Sequence, residues 1–451
     1  MGKSLLHRNA SKDRVIVFGR YPIPGRVKTR LIPALGRVAA ADLQRRLTEK
    51  TLHTVRAYAL KHHARIELCF EGGSRERISR WLGYGPVVSM QGEGGLGDRM
   101  LNAFERAFGT GCERAVLLGT DIPNLGRGHL EEAFDALHGS DVVIGPSTDG
   151  GYWLMGLKRP VDVFGGIPWG TEKVLEGTLE LAKRLGLRTR ILNPLTDIDT
   201  LDDLREWRQG QFHKGPYASV IIPTLNEEES IQGTIEKARD PDAEIIVVDG
   251  GSRDRTRALA EASGVKVLVS EMGRSVQQNK GAGSSKGNVL LFLHADTRLP
   301  DRYLNHVFET LMPAMTAGGA FRFKTDARIP LIRAVEWMTN FRSRIFHLPY
   351  GDQALFMKKS LFDSVGGFPE RPIAEDLFLV QRLLKRGRIR IAEGEIITSG
   401  RRWQHLGVVR TTLINWLIMA GCCLGVSPEA MAPLYTIPQK VPGNQSPISA
   451  I

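Results

Sequence analysis

Short apolar runs alternate with longer helix-patterned segments from residue 15 to residue 145, and the alternation starts afresh at residue 218. The first set of strand-like runs lies at 15–19, 65–70, 86–90, 115–119 and 142–145, with helical stretches such as 38–61 and 99–108 between them. The second set lies at 218–222, 244–248, 265–269 and 289–293, separated by 230–239 and 256–262. Consecutive parallel strands need a crossover, usually a helix, so this alternation predicts α/β units, each a mostly parallel sheet flanked by helices. The restart predicts two of them in tandem, 1–210 and 217–451, joined by the polar Gly/Pro-containing stretch 209–216. A chain of 451 residues has room for two or three domains of about 150 residues.

The halves echo each other. GDRMLNA (97–103) precedes an apolar strand that delivers Asp121, and GRSVQQNKGA (273–282) precedes one that delivers Asp296. The shared order predicts two copies of one architecture.

The net charge of +12 divides as +6 and +6 about residue 210, with no basic tail. An evenly spread surplus fits separate anion sites and argues against a polynucleotide groove, so no nucleic-acid partner is expected. Cys69, Cys112, Cys422 and Cys423 form no CxxC pair, and neighbours such as Cys422 and Cys423 rarely bridge. A reducing, cytoplasmic setting follows as the expectation. The first 15 residues lack the apolar centre of a signal peptide. The longest apolar candidate, 413–426, has the length of a core helix or of one lying on a membrane surface.

In the second half, strand-end acids come first. Asn226 or Glu227 follows the strand 218–222, and Asp249 ends the next before a Gly250–Gly251 turn. Ligands of open α/β sheets bind at such carboxyl ends. Asp249 reads as a ligand residue, and Asp254 reads as a helix cap. Asp296 suits a divalent metal that would hold a diphosphate. His294 points away if its strand persists and joins the site if it does not. Asp352 and Gln353 follow a Gly turn. Glu375 and Asp376 open a basic amphipathic helix, where a carboxylate is stabilised by the helix dipole yet can serve as a general base. Arg401, Arg402, Trp403 and His405 cluster; Arg suits phosphate and Trp a sugar face.

These motifs, IIPTLNE, VVDGGSRDRT, GRSVQQNKGA, FLHADT, YGDQALF, AEDLFL and SGRRW in order over about 218–435, resemble a family-two glycosyltransferase of the GT-A fold, and within it the subfamily labelled arsenosugar-biosynthesis glycosyltransferases. The resemblance implies inverting transfer. It assigns Glu227 and Asp249 to the nucleoside, Arg274 and Lys280 to the diphosphate, Asp296 to the metal and Asp376 to the catalytic base. Asp352 and Gln353, with Arg402 and Trp403 as the RW pair, fall to the acceptor and diphosphate. The usual acid-x-acid metal motif reads His294-Ala295-Asp296, so one carboxylate is absent. Ser399 replaces the Gln of the processive QxxRW motif, which argues against a processive polymerase.

In the first half, Arg26, Lys28 and Arg30 lie on a Gly/Pro loop after the first strand, a pattern suited to phosphate. Asp121, Asp149, Asp197 and Asp199 supply strand-end or turn carboxylates, and Asp202 and Asp203 read as caps. GEGGLG (92–97) satisfies GxGxxG but does not follow the first strand, so a dinucleotide fingerprint is not favoured. PGRVKTRL, LGDRM, GTDIP, DGGYWL and DIDT resemble the GT-A-like domains similar to 2-phospholactate guanylyltransferase, over about 13–208. That likeness turns Lys28 and Arg30 to the phosphates and gives the metal to Asp121 and Asp199.

The sequence thus predicts an inverting glycosyltransferase with a nucleotide-sugar donor, a small-molecule or lipid acceptor hydroxyl, Mg²⁺ or Mn²⁺, and a fused nucleotidyltransferase-like domain. A peripheral membrane contact is a further expectation. Its rivals are nucleotidyl transfer as the main activity and a non-catalytic nucleotide-sugar binder.

Overall fold

The computed structural model describes residues 12–208, 215–424 and 426–435; residues 209–214 of the expected linker lie outside it. The chain divides into two compact units, Met1–Lys214 and Gly215–Ile451. The first is built on strands β1 (Asp13–Arg20), β2 (Arg65–Glu71), β3 (Val87–Met90), β4 (Arg114–Gly119), β5 (Val142–Pro146), β6 (Tyr152–Leu157) and β7 (Thr189–Ile191). The second is built on β8 (Ala218–Thr224), β9 (Ala243–Asp249), β10 (Lys266–Val269), β11 (Val289–Phe292), β12 (Thr297–Arg298), β13 (Thr316–Arg322), β14 (Phe356–Lys358), β15 (Arg388–Glu395) and β16 (Ile397–Thr398).

The sheets run β3-β2-β1-β4-β6-β5-β7 and β10-β9-β8-β11-β14-β13-β15, with β12 and β16 paired apart. Each strand of the first sheet has a counterpart at the same place in the second, so the units share one topology. Each sheet is parallel except for one reversed strand, β6 or β14. The central strands read as continuous apolar runs because both faces are covered: every residue of β8 is buried. Phe104, Phe164 and Ile16 lie in one core; Phe292, Phe362 and Phe368 lie in the other.

The helices that matter for the sites are α1 (Arg37–His62), α2 (Leu96–Gly109), α3 (Arg274–Gly283), α4 (Ile332–Ile345), α5 (Glu375–Leu384), α6 (Arg401–Leu406), α7 (Val408–Cys423) and α8 (Pro428–Tyr435). The two echoing motifs fall on equivalent helices, α2 after β3 and α3 after β10. Cys69, Cys112 and Cys422 are buried free thiols. Among the described residues no helix is long and apolar enough to cross a membrane.

Candidate active site

In the second unit, Glu227, Asp249, Arg274 and Asp296 follow the carboxyl ends of β8, β9, β10 and β11, which the parallel pairing brings to one edge. Asp249 is buried and binds its own turn: Oδ2 accepts the Gly251 and Ser252 N–H groups, each at 3.0 Å. Gly251 has φ +94°, which glycine adopts without cost. Asp254 accepts the Thr256 N–H at 2.9 Å and the Glu228 N–H at 3.2 Å; the N-cap of the helix that follows is Arg255, so Asp254 ties two turns together in place of the cap expected of it. Asn226 (φ +54°) and Ala374 (φ +61°) are non-glycine residues in the left-handed region, beside Glu227 and Glu375. Such strained backbone collects at functional sites.

Arg401, at the start of α6, ties two of these acids together. Its Nη2 donates to Glu227 Oε2 at 2.8 Å and to Asp296 Oδ2 at 3.2 Å. The neighbouring Arg402, to which the diphosphate is assigned from sequence, is half-buried, with Nε and Nη2 enclosed by protein.

Asp376 lies in the first turn of α5, half-buried, with Oδ2 accepting the Gly351 N–H at 2.6 Å and Oδ1 the Leu377 N–H at 2.8 Å. A methyl group on Gly351 would stand 3.2 Å from Asp376 Oδ2 and 3.4 Å from His294 Nε2, so all three crowd one small space. β11 ends at Phe292, and His294 therefore joins the site. Its Nε2 is enclosed without a hydrogen-bond partner. Burial, and then the charge of Arg274, push its pKa down to about 3, against the pull of Asp376, so the imidazole is neutral at pH 7. Asp352 is pushed up to about 6, chiefly by burial, and its Oδ1 has no hydrogen-bond partner. Arg274 Nη1 lies 3.4 Å from the buried Glu375, whose carboxyl burial raises.

Three sequence-based assignments in this unit need correction. Gln353 is wholly buried and fastens the site floor: its Oε1 accepts Ser343 Oγ–H at 2.6 Å and its Nε2 donates to Phe321 O at 2.9 Å. Trp403 packs on Phe323, with centroids 5.8 Å apart, in a core with Ala327, Ile332 and Val335, so it shows no open face to a sugar. Lys280 is exposed and donates to the Val269 carbonyl; no hydrogen bond or ion pair joins it to Glu227, Asp296 or Asp376. A six-residue step along α3 separates it from Arg274, about 9 Å of rise.

A divalent cation takes carboxylate and phosphate oxygens. Asp296 keeps Oδ1 for one, since its recorded contact there is only the 3.5 Å approach of Thr297 Oγ1. The residues present therefore fit a cation held by Asp296, with a diphosphate completing its shell. Among the described residues no group of three or more protein ligands surrounds it.

The first unit encloses a cavity of about 720 Å³ at the carboxyl ends of β1 and β4. Arg20, Arg30, Arg99, Gln44 and Gln91 line it, together with Gly94, Gly95 and Leu96 at the start of α2. The Asp98 carboxylate caps the start of α2, accepting the Gly95 N–H at 2.9 Å, and Glu71 in the lining pairs with Arg20 at 2.9 Å and Arg99 at 3.4 Å, so an anion here would displace acids from these groups. Sequence reasoning missed Arg20, Arg99, Gln44 and Gln91; the signal was GEGGLGDR itself, read as a weak dinucleotide motif. Arg26 is exposed and outside this lining. Arg30 lines the cavity and lies 3.6 Å from Asp199.

Lys28 departs from its expected role. Its buried ammonium lies 2.9 Å from Asp121 and 2.9 Å from Asp199 and donates to Ile198 O at 2.6 Å. Although burial opposes it, the two carboxylates raise its pKa, and it holds Asp121 in the ionised form. Lys28 thus stands between the two acids assigned to a metal, and the donor set there does not fit one. Asp197, by contrast, is pushed up to about 6 by burial and by Asp149 and Asp199.

A family model described as "Glycosyl transferase family 2" matches residues 219–362, and one described as "Uncharacterized protein conserved in bacteria (DUF2064)" matches residues 54–171. The chain is 26% identical over 217 residues to "Probable glycosyltransferase YdaM" of Bacillus subtilis (strain 168), covering 41% of this chain and 50% of that protein. It is 32% identical over 130 residues to glucosyl-3-phosphoglycerate synthase of Mycolicibacterium smegmatis, covering 26% and 42%. It thus spans half or less of the length of these curated relatives. A solved structure from Desulfovibrio desulfuricans G20, assigned as a nucleotide-diphospho-sugar transferase, is 35% identical, covers 45% of this chain and 89% of its own, and has a TM-score of 0.42. The chain therefore joins, in two α/β units of GT-A architecture, a DUF2064 segment at residues 54–171 to a glycosyl transferase family 2 segment at residues 219–362.

Proposed function

We propose that the second unit is an inverting glycosyltransferase that moves a sugar from a nucleoside diphosphate to an acceptor hydroxyl on a small molecule or lipid. The observation that carries this is the placement of Asp376. It sits beside neutral His294 and half-buried Asp352, and backbone N–H groups fix its carboxylate. Glu227 and Asp249 would face the nucleoside, and Arg274 and Arg401 the diphosphate. A metal at Asp296 would supply positive charge to the departing diphosphate.

Asp376 takes the proton of the acceptor hydroxyl as its oxygen attacks the anomeric carbon. The bond from that carbon to the diphosphate oxygen breaks, and its electron pair leaves with the nucleoside diphosphate. One displacement inverts the anomeric configuration, and Asp376 then passes its proton to solvent.

The first unit is nucleotidyltransferase-like in this reading. The support is its cavity, where Arg30 and the Arg20–Glu71–Arg99 cluster carry net positive charge beside the start of α2, which suits a triphosphate or diphosphate. It would make or hold the donor.

The test is to incubate the full chain with nucleotide sugars and an acceptor pool, with and without Mn²⁺. Release of nucleoside diphosphate with an inverted glycoside supports the proposal. Asp376→Asn should then cut turnover by about 10²–10⁴-fold and leave donor binding in place. A retained anomeric configuration overturns the single displacement. Pyrophosphate release from a sugar phosphate and a nucleoside triphosphate, without glycoside, would make nucleotidyl transfer the main activity. Binding without turnover of either kind would make the chain a nucleotide-sugar binder.

A further inference from the structure

The α7 segment is apolar almost all round, with Arg410 its one charged residue. One side of it packs: Ile418 and Cys422 meet Ile373, Leu377 and Met431. The other side does not. Val409, Leu413, Trp416 and Leu417 are each more than half exposed, at the three- and four-residue spacing of a single helical stripe. The neighbouring α4 exposes Trp337, Phe341 and Ile345 at four-residue spacing, and the Trp337 and Phe341 rings stack at 5.3 Å. The two helices are in contact. Exposed apolar patches of this kind mark interaction surfaces.

The charges select the partner. From 327 to 349 and from 400 to 424 the only acid is Glu336, which is buried and paired with Arg333 at 2.7 Å. Arg328, Arg333, Arg344 and Arg410 are exposed. Two tryptophans, large aliphatic side chains and four exposed arginines, against the exposed acids Asp326 and Glu429 at the margin, complement a negatively charged lipid surface. At 16 residues α7 is shorter than the roughly 20 needed to span a bilayer. We infer that the α4–α7 face docks this protein on an anionic bilayer.

This face adjoins the candidate site at two points. The short α6, which begins with Arg401, leads directly into α7. In the last turn of α4, the Arg342 guanidinium lies 3.6 Å from the centroid of the ring of Tyr350, which adjoins Gly351 and Asp352 in the chain. A docked bilayer would therefore present acceptors close to Asp376. The acceptor is then a hydroxyl carried by a membrane-borne lipid, a conclusion that rests on the sugar-transfer reading; the docking does not.

The full chain, without donor, is to be sedimented with phosphatidylglycerol–phosphatidylcholine vesicles and with phosphatidylcholine vesicles. Docking predicts binding to the first, weakened when salt rises from about 0.15 M to about 1 M. Trp416→Glu and Trp337→Glu should each weaken it by about tenfold, and Arg410→Glu by at least about fivefold. Trp416→Ser serves as a milder variant should the glutamate disturb the fold. Absence of binding to anionic vesicles, or equal binding by the folded variants, overturns the inference. So does a dimer that these variants dissolve while vesicle binding is unchanged, which would make the face an interface between copies. Separately, a radiolabelled donor sugar is supplied with vesicles of a bacterial polar-lipid extract. Label entering the lipid phase supports the lipid acceptor, and label entering only water-soluble product overturns it. Failure of sugar transfer altogether leaves the vesicle result standing.

Discussion

The guanidinium of Arg401 rests on the carboxylate of Asp296, Nη2 to Oδ2 at 3.2 Å, while the same nitrogen holds Glu227. The acid read from sequence as the metal ligand therefore has a permanent cation beside it. Any divalent ion at Asp296 competes with, or works alongside, this arginine.

Arg401→Gln removes that competitor and leaves two carboxylates whose side chains are each 22% exposed. Mn²⁺ should bind about tenfold more tightly, because a charge-assisted contact of this kind contributes about 1.5–3 kcal/mol. Nucleoside diphosphate without metal should bind about tenfold more weakly. Calorimetric titration of each ligand checks both, and an unchanged Mn²⁺ affinity would count against the competition.

Lys28→Met keeps most of the side-chain bulk but deletes the ammonium between Asp121 and Asp199. Breaking a fully buried pair costs about 3–5 kcal/mol. Here the acids are 37% and 42% exposed and can hydrate, so about 2 kcal/mol is expected. Urea unfolding of the full chain should show the loss in one transition only.

His294 gives the second unit an acid sensitivity. Its folded-state pKa of about 3 lies below the usual 6.5, so the stability it contributes is present above pH 6.5 and drains away as pH falls toward 3. Between pH 7 and pH 5 the loss is about 2 kcal/mol at 1.36 kcal/mol per unit. His294→Gln should lack this component when denaturation midpoints at the two pH values are compared.

Asp352 acts in the opposite sense. Its carboxyl is raised to about 6 from a usual 3.8, so the folded state loses stability as pH rises through that window. Asp352→Asn should match the parent chain near pH 4 and exceed it by at most about 3 kcal/mol at pH 8. Thermal unfolding at both pH values reads the difference.

Trp403→Ala should destabilise the second unit by about 3–5 kcal/mol, as removal of a buried aromatic does. Trp403→Phe should keep both the fold and donor turnover. A stable alanine variant that had lost only acceptor binding would restore the sugar-stacking role.

The strand-end acids were legible because they obey a local rule. An apolar run of four to seven residues with an acid at its end or within four residues beyond predicts where that acid lies, and Glu227, Asp249 and Asp296 come to the carboxyl ends of β8, β9 and β11. Strands β6, β7 and β12 to β16 were not anticipated. Several of them carry glycines or charges in place of a clean apolar run, as TAGGAFR and RIRIAEGE show. The anion cavity of the first unit was half legible: its glycine motif was seen, but its arginines come from separate elements.

The sequence by itself determined that this chain is two tandem copies of one α/β architecture, since periodicity and strand-end composition depend only on near neighbours. Only the tertiary structure decided which charge meets which. Arg401 and Glu227 are 174 positions apart, and Lys28 and Asp199 are 171 apart. No local pattern encodes such a pairing; it arises when parallel strands deliver their carboxyl ends to one edge. The same holds for Trp403, which the motif presents as a ligand residue and the fold turns into its core. Removing the indole's apolar surface from water favours the core position, and that depends on neighbours the motif does not name.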